Sequence, residues 1–303
     1  MNVLNFGSLN IDYVYKVPHI VKPGETIKAF RRNIYAGGRG LNQSIAMARA
    51  GLHVFHAGCV GKEAQNAPLS EKTILLSTLQ ENNVNIEYIK VVEGNSGHTV
   101  IQEENCGSCS IMIYNGANYL ITKSHIDEVL HMFKENDLLV LQNEINNLSY
   151  IMEKANTIGM KILFNPSPYT DDIKDLPINL VTYFAVNEFE GRNLFNTTEN
   201  DEIITNAKKI YPDCNILLTL GDIGALYYSD GVIVYQSAYM TKIIDTTVAG
   251  DTFLGYFVHG LVNDVPMKNA LDIAAKAASI AISRHGAADT IPSMDELRYG
   301  RHC

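Results

Sequence analysis

The feature that most constrains this chain is a rhythm. Short apolar or β-branched runs alternate with helical patterns along most of its length. Val3 to Gly7, His53 to Val60, Leu138 to Gln142, Lys161 to Asn165, Tyr183 to Asn187 and Asn215 to Gly221 read as buried strands. Between them, helical periodicity covers Leu41–Ala50, Leu69–Gln80, Ser124–Phe133, Leu148–Ile158 and Glu202–Ile210. Such βαβα alternation predicts an α/β fold: a doubly wound, mostly parallel sheet with helices on both faces. In such sheets ligands gather beyond the carboxyl ends of the strands. Four strand candidates end there in polar residues: Gln142-Asn143-Glu144, Asn165-Pro166-Ser167-Pro168, Asn187-Glu188 and Thr219-Leu220-Gly221.

Residues 11–36 and 95–120 break the rhythm, being strand-like without helices between. Gly97 to Asn118 alternates apolar and polar residues about a Gly-Ser turn, the pattern of a hairpin. These segments are expected to meet in a small β-sheet appended to a main domain made of residues 1–10, 37–94 and 121–303.

With 303 residues, 46% hydrophobic and 19% charged, the composition is that of an ordinary globular protein. A formal charge of −9 argues against a nucleic-acid partner, which needs a basic face. No apolar run approaches the ~20 residues that span a bilayer, so no membrane partner is expected. The opening residues lack a basic segment followed by an apolar one, so no signal peptide is expected. The five cysteines, Cys59, Cys106, Cys109, Cys214 and Cys303, form an odd, scattered set. That favours free thiols and a cytoplasmic protein. Cys106 and Cys109 lack a companion pair and are expected in a surface turn rather than a metal site.

Chemistry concentrates in two segments. In Ile243 to Leu261, apolar residues at Phe253, Leu254, Phe257, Val258 and Leu261 mark one face of a helix starting near Asp251. Unpaired first-turn amides and the helix dipole make that terminus an anion hole, and Gly250 admits close approach of a ligand. Asp251 then serves either as a helix cap or as a general base, ionised at pH 7 without an unusual pKa. In Asn33 to Gly51, Gly37, Gly38 and Gly40 precede a helix carrying Asn42. The spacing fits neither a P-loop nor the dinucleotide fingerprint. It suits a hydroxyl-rich ligand against the backbone, with Asn42 as donor and acceptor and Asp12 able to bind paired hydroxyls.

The order and spacing of "GSLNID", "KPGET", "AGGRGLNQ", "NPSP", "NEFE", "TLGDIG" and "DTTVAGDTF" resemble the ribokinase-like members of the PfkB carbohydrate kinase family, nearly end to end. The resemblance implies a doubly wound α/β domain with a small β lid, and it implies that Asp251 is the catalytic base with Ala249 and Gly250 forming the anion hole. It implies sugar contacts from Asp12, Gly38, Asn42 and Glu144. Asn187 and Glu190 match the pair that organises Mg²⁺ and the phosphates, and Thr219, Gly221 and Gly224 match the nucleotide-binding turn. Asp245, Thr247, Ala281, Arg284, Gly286 and Thr290 fall where such kinases hold a monovalent cation, K⁺ being the expected ion. The chain departs from the family pattern at Lys62-Glu63 and the "AQNAPLS" stretch after it, at Arg39 in place of a lysine, at Val248, at Ala275 beside the adenine, and at His98 in the lid.

The expected activity is therefore ATP-dependent transfer of a γ-phosphate to the primary hydroxyl of a sugar, with ribose the leading candidate. Fructose, ketodeoxygluconate or adenosine are alternative substrates, and a non-catalytic sugar-binding regulator is the alternative function. ATP, Mg²⁺ and K⁺ are the implied cofactors, and a homodimer paired through the lids is the implied assembly.

Overall fold

The computed structural model describes residues 1–62, 70–104 and 108–299. In chain order the strands are β1 (Val3–Phe6), β2 (Asn10–Lys16), β3 (Arg31–Gly37), β4 (Val54–Lys62), β5 (Asn85–Glu93), β6 (Gly97–Glu103), β7 (Cys109–Tyr114), β8 (Leu138–Gln142), β9 (Lys161–Asn165), β10 (Tyr183–Asn187), β11 (Asn215–Thr219), β12 (Gly224–Ser229) and β13 (Val232–Ser237). The helices are α1 (Arg39–Arg49), α2 (Glu71–Glu81), α3 (Lys123–Leu130), α4 (Leu148–Ile158), α5 (Glu188–Leu194), α6 (Ile203–Ile210), α7 (Ala249–Val262), α8 (Met267–Ile282) and α9 (Met294–Tyr299).

Nine strands form one sheet in the order β13-β12-β11-β10-β9-β8-β1-β4-β5. It is parallel from β5 through β11, and β12 and β13 are antiparallel additions at one edge. The fold class expected from the sequence is the one observed. β8 shows why its strands read as continuous apolar runs. Leu138 and Val140 face a core shared with α1, α7 and α8, while Leu139 and Leu141 face a second core shared with α3, α4 and α6. The period-two alternation of side chains sends neighbours to opposite, equally dry faces. Each fully buried leucine or valine of this kind contributes about 1.5–3 kcal/mol.

Two features escape the apolar-run pattern. β5 is an edge strand with no fully buried residue, so it carries no such run. β12 and β13 form a hairpin over Asp230 (φ 48°) and Gly231 (φ 84°), both in the left-handed region that a type I′ turn requires.

The second sheet has the order β3-β2-β6-β7, so the two interrupting segments do meet. β2 pairs antiparallel with β3 and parallel with β6, and β6 and β7 form the anticipated hairpin. Its tip, with Cys106, lies outside the described residues, as do Glu63, Leu69 at the start of one expected helix, and all of the "AQNAPLS" stretch except Ser70. Ser70 caps α2, its hydroxyl accepting from the Thr73 amide at 3.1 Å. Among the described residues, no helix is long and apolar enough to cross a membrane.

The pairing of α1 with α7 builds the site. A Cβ on Gly255 would stand 2.4 Å from the Ala46 Cβ, so only glycine lets these helices approach so closely.

Candidate active site

α1 starts against the turn between β1 and β2. A Cβ at Gly40 would lie 2.3 Å from the Ser8 amide nitrogen, and Gly38 just before the helix has φ 90°. Residues with side chains are excluded at both places. The contact aims Asn42 and Gln43 at the start of α7. The cap residue there is Val248, which makes no side-chain cap hydrogen bond. Asp251 is thus the third residue of the helix, and its carboxylate is held from α1. Gln43 Nε2 donates to Oδ1 at 2.9 Å and Asn42 Nδ2 to Oδ2 at 3.2 Å. The first bond inside α7 runs from Thr252 N–H to Val248 O at 2.9 Å, which leaves the amides of Gly250 and Asp251 pointing past the helix end.

Three carboxylates converge on this corner, each 7% exposed or less: Asp12 on β2, Glu144 beyond β8, and Asp251. Asp12 Oδ1 accepts from Thr99 Oγ1 at 2.6 Å. Glu144 Oε2 accepts from the Ser8 hydroxyl and from the Arg39 amide. Burial pushes the Asp12 carboxyl up to about 6; Thr99 opposes the shift, and the Glu144 and Asp251 charges add to it. Burial likewise raises Glu144 and Asp251, countered by the Arg39 guanidinium beside both. Arg39 Nε lies 3.8 Å from Glu144 Oε1, and Nη1 lies 3.9 Å from Asp251 Oδ1. Asn42 Oδ1 is buried with no hydrogen-bond partner among the described residues. An acceptor in that state costs free energy until something donates to it.

On the other side of Gly250 runs a cleft lined by Arg39, Asn187, Glu190, Thr219 and Phe253. A Cβ built at Gly250 meets nothing within 4 Å, so the backbone there faces open space. Asn187 and Glu190 form a capping box on α5: Asn187 Oδ1 accepts from the Glu190 amide at 2.9 Å, and Glu190 Oε2 accepts from the Asn187 amide at 3.0 Å. Each keeps polar capacity beyond that box, the Asn187 amide NH₂ and the Glu190 Oε1. Thr219 sits opposite Asn187 in the β10–β11 register. Gly221 (φ 56°) and Gly224 (φ 135°) shape the β11–β12 turn that follows, and neither lines the cleft.

Of the residues expected around a monovalent cation, Asp245 Oδ1 accepts from the Thr247 amide at 2.9 Å and its hydroxyl at 2.6 Å. The Asp245 amide donates to Ile282 O at 3.2 Å, seating that loop beside Ala281 at the end of α8. Gly286 (φ 134°) adjoins Thr290, whose carbonyl accepts from Arg284 Nη1 at 3.4 Å. The Arg284 guanidinium is otherwise committed to Glu296 at 2.7 Å. Only carbonyl oxygens at that residue suit a cation. Among the described residues, no three His, Cys, Asp or Glu side chains gather as a metal-holding group.

A helix start that carries a buried carboxylate beside an open glycine, with further buried acids behind it, has the layout of a phosphotransferase. The family model for pfkB carbohydrate kinases matches residues 2–294. The chain belongs to that family. It is similar to a ribokinase of Schizosaccharomyces pombe, 32% identical over 98% of this chain and 96% of that one. Among solved structures it resembles a Cryptococcus neoformans ribokinase in complex with ADP (TM-score 0.83, 30% identity, 98% of each chain) and a Thermotoga maritima ribokinase (TM-score 0.87, 28% identity, 98% of each chain).

In this carbohydrate kinase several neighbours of Asp251 were not singled out as site residues from the sequence. Arg39, known there only as a departure from a lysine, stands between Glu144 and Asp251. Ser8, Gln43, Thr99 and Asn165 also contact the corner or its anchors. Gln43 carried a readable signal, since it adjoins Asn42 in the same helical turn. Thr99 carried none, since it stands opposite Asp12 only through the long-range parallel pairing of β2 with β6.

Proposed function

We propose that this kinase transfers the γ-phosphate of ATP to the primary hydroxyl of ribose, with Asp251 as general base. The observation that carries the reading is the unpaired, buried Asn42 Oδ1 beside the Asp251 carboxylate. One sugar hydroxyl can donate to the first while its neighbour surrenders a proton to the second. Burial raises Asp251, which strengthens it as a base. Asp12 and Glu144 accept from the remaining hydroxyls, and Gly38 lets the ring lie against the backbone. As the sugar oxygen bonds to phosphorus, its proton passes to Asp251 and ADP departs. The free amides at the start of α7, with Ala249 and Gly250, receive the charge of the transferring group.

ATP fits the cleft of Thr219, Asn187 and Gly250, with the Gly221–Gly224 turn beside it. Mg²⁺ keeps most of its water and needs one or two carboxylates, which Glu190, half-committed to its cap and supported by Asn187, can supply. Bound there, it would neutralise phosphate charge. The carbonyls of Ala281, Arg284 and Gly286, with Asp245, Thr247 and Thr290, suit K⁺. Ribose is favoured over fructose, ketodeoxygluconate or adenosine by the name of the Schizosaccharomyces pombe relative. The exposed Ile111, Met112 and Tyr114 of β7 favour a homodimer through the smaller sheet.

Purified protein should consume ATP with ribose in the presence of Mg²⁺ and K⁺, ahead of the other sugars. Asp251→Asn should lower kcat on the order of 10²-fold while calorimetry still detects ribose binding. Near-normal turnover in that variant overturns the assigned base. Ribose binding without turnover in the native protein favours the regulatory binder.

A further inference from the structure

A buried chain of amides leads away from Asp251. Gln43 Nε2 donates both to Asp251 Oδ1 (2.9 Å) and to Asn165 Oδ1 (3.0 Å). Its Oε1 accepts from Gln142 Nε2 at 2.8 Å, which also donates to Asn5 Oδ1 at 2.9 Å. Asn5 Nδ2 then donates to Gly40 O at 2.7 Å and Ser44 Oγ at 2.8 Å. Asn165 is fixed in turn by donating to Ala185 O at 2.8 Å. Asn5, Gln43 and Gln142 are each no more than 1% exposed, so bulk water does not reach the links among them.

The polarity of this chain has one origin. An ionised carboxylate only accepts, so Gln43 must present its NH₂ to Asp251 and its oxygen to Gln142. Gln142 must then donate, and its own oxygen is left buried without a partner among the described residues. Turning the Gln142 amide over would satisfy that oxygen nowhere, for it would meet the oxygens of Gln43 and Asn5. The fold thus tolerates an unsatisfied acceptor to keep the Gln43 NH₂ aimed at Oδ1.

We propose that Gln43, Gln142 and Asn5 are positioning residues for phosphoryl transfer: together they hold Asp251 Oδ1 as an acceptor and leave Oδ2, beside the unpaired Asn42 Oδ1, to take the hydroxyl proton. This rests on Asp251 being the base. Gln142 touches neither substrate nor Asp251, so it acts only through Gln43. Removing it takes the donor from Gln43 Oε1, so the amide is anchored on one side only and its bond to Asp251, which favours the charged form, weakens. The other charged groups acting on Asp251 are Arg39 on α1, Glu190 on α5, Glu144 beyond β8 and Asp12 on β2; all stay in place in the variant.

The test is the Gln142→Met variant, which preserves bulk, assayed for kcat, both KM values and the pH dependence of kcat. The expected result is a fall in kcat of about tenfold with both KM values nearly unchanged, and an acid limb moved to higher pH. Asn165→Ala, at a half-buried strand end, should move both readouts in the same direction by less, and it serves if Gln142→Met does not fold. Tyr256→Phe, which removes only a buried hydrogen bond to Pro292 O, should lower the melting temperature and leave the pH profile untouched. An unmoved acid limb with unchanged kcat in the Gln142 and Asn165 variants overturns the inference, as does a loss confined to KM. If Asp251→Asn is inactive in the same assay, that failure is the network's alone; if Asp251→Asn is active, the base itself was misassigned.

Discussion

At one end of the cleft, Asp12, Glu144 and Asp251 are charged groups buried together and held by amides, hydroxyls and Arg39. At the other end, Asn187, Glu190, Thr219 and Gly250 are a helix cap, a strand end and an open helix start. The first arrangement strains the folded state, because burial disfavours the ionised carboxyls. The second stabilises it, because a capping box satisfies amides that would otherwise lack partners. A hydroxyl that must lose a proton needs a dry, basic pocket prepared in advance. A polyphosphate that brings its own charge needs only donors and room. Stability should therefore respond in opposite directions to mutation at the two ends.

The largest contrast is expected from Asp12→Asn. Asp12 has a folded-state pKa of about 6 against an ordinary 3.8. Below pH 3.8 the folded and unfolded chains both hold the proton and the group imposes no penalty. As pH rises toward 6 the unfolded chain releases its proton first, so stability falls, and above that the full penalty persists. The gap corresponds to about 3 kcal/mol at most. Asparagine still accepts from Thr99 without carrying the charge. Chemical denaturation at pH 8 should show the ligand-free variant more stable by about 1–3 kcal/mol, the gain shrinking toward pH 4. The KM for ribose should rise by a factor on the order of 10², since a neutral amide accepts less strongly from paired hydroxyls. A variant no more stable than the native protein would mean that Asp12 is not strained by burial.

The same division explains what could be read from the sequence. The large sheet was legible because strands such as β8 are apolar on both faces. β5 was not, because an edge strand half open to solvent has no such run. The β12–β13 hairpin was not read from the sequence: its turn signal, Asp230-Gly231, joins strands too mixed in polarity to stand out. Asp251 could be singled out by local rules, as a glycine followed by an acid at an amphipathic helix start. Whether it capped its own helix or faced elsewhere could not, since its donors lie 209 and 208 residues away in sequence. Gln142 and Asn165, 99 and 122 residues from Gln43, were visible only as polar strand endings. Their register against α1 is a product of the whole fold.

At the end proposed for the phosphates, Asn187→Ala removes the side chain that accepts from the Glu190 amide. It should lower stability by about 1 kcal/mol, the opposite sign to Asp12→Asn. The Glu190 carboxylate keeps its bond from the backbone amide of residue 187, but the looser helix start places it less well, so the KM for ATP with Mg²⁺ should rise about fivefold while ribose binding holds. Thermal denaturation with and without ribose, beside steady-state kinetics, separates these effects. A rise in ribose KM of equal size would show that the two ends are coupled.

The smallest effect tests whether the strain on Asp12 is tuned. Thr99 donates to Asp12 at 2.6 Å and is the chief influence opposing burial there. Thr99→Val keeps the shape of the side chain and removes the donor, so the Asp12 pKa should climb further. More of the protein then holds a protonated Asp12 near neutral pH, and that form accepts less strongly from paired hydroxyls. The ribose KM should therefore rise about two- to threefold between pH 6 and 7 and approach the native value above pH 8, where both proteins are ionised. A uniform rise across the whole range would mean instead that Thr99 acts by shaping the pocket, and that the charge of Asp12 is governed by burial and its acidic neighbours alone.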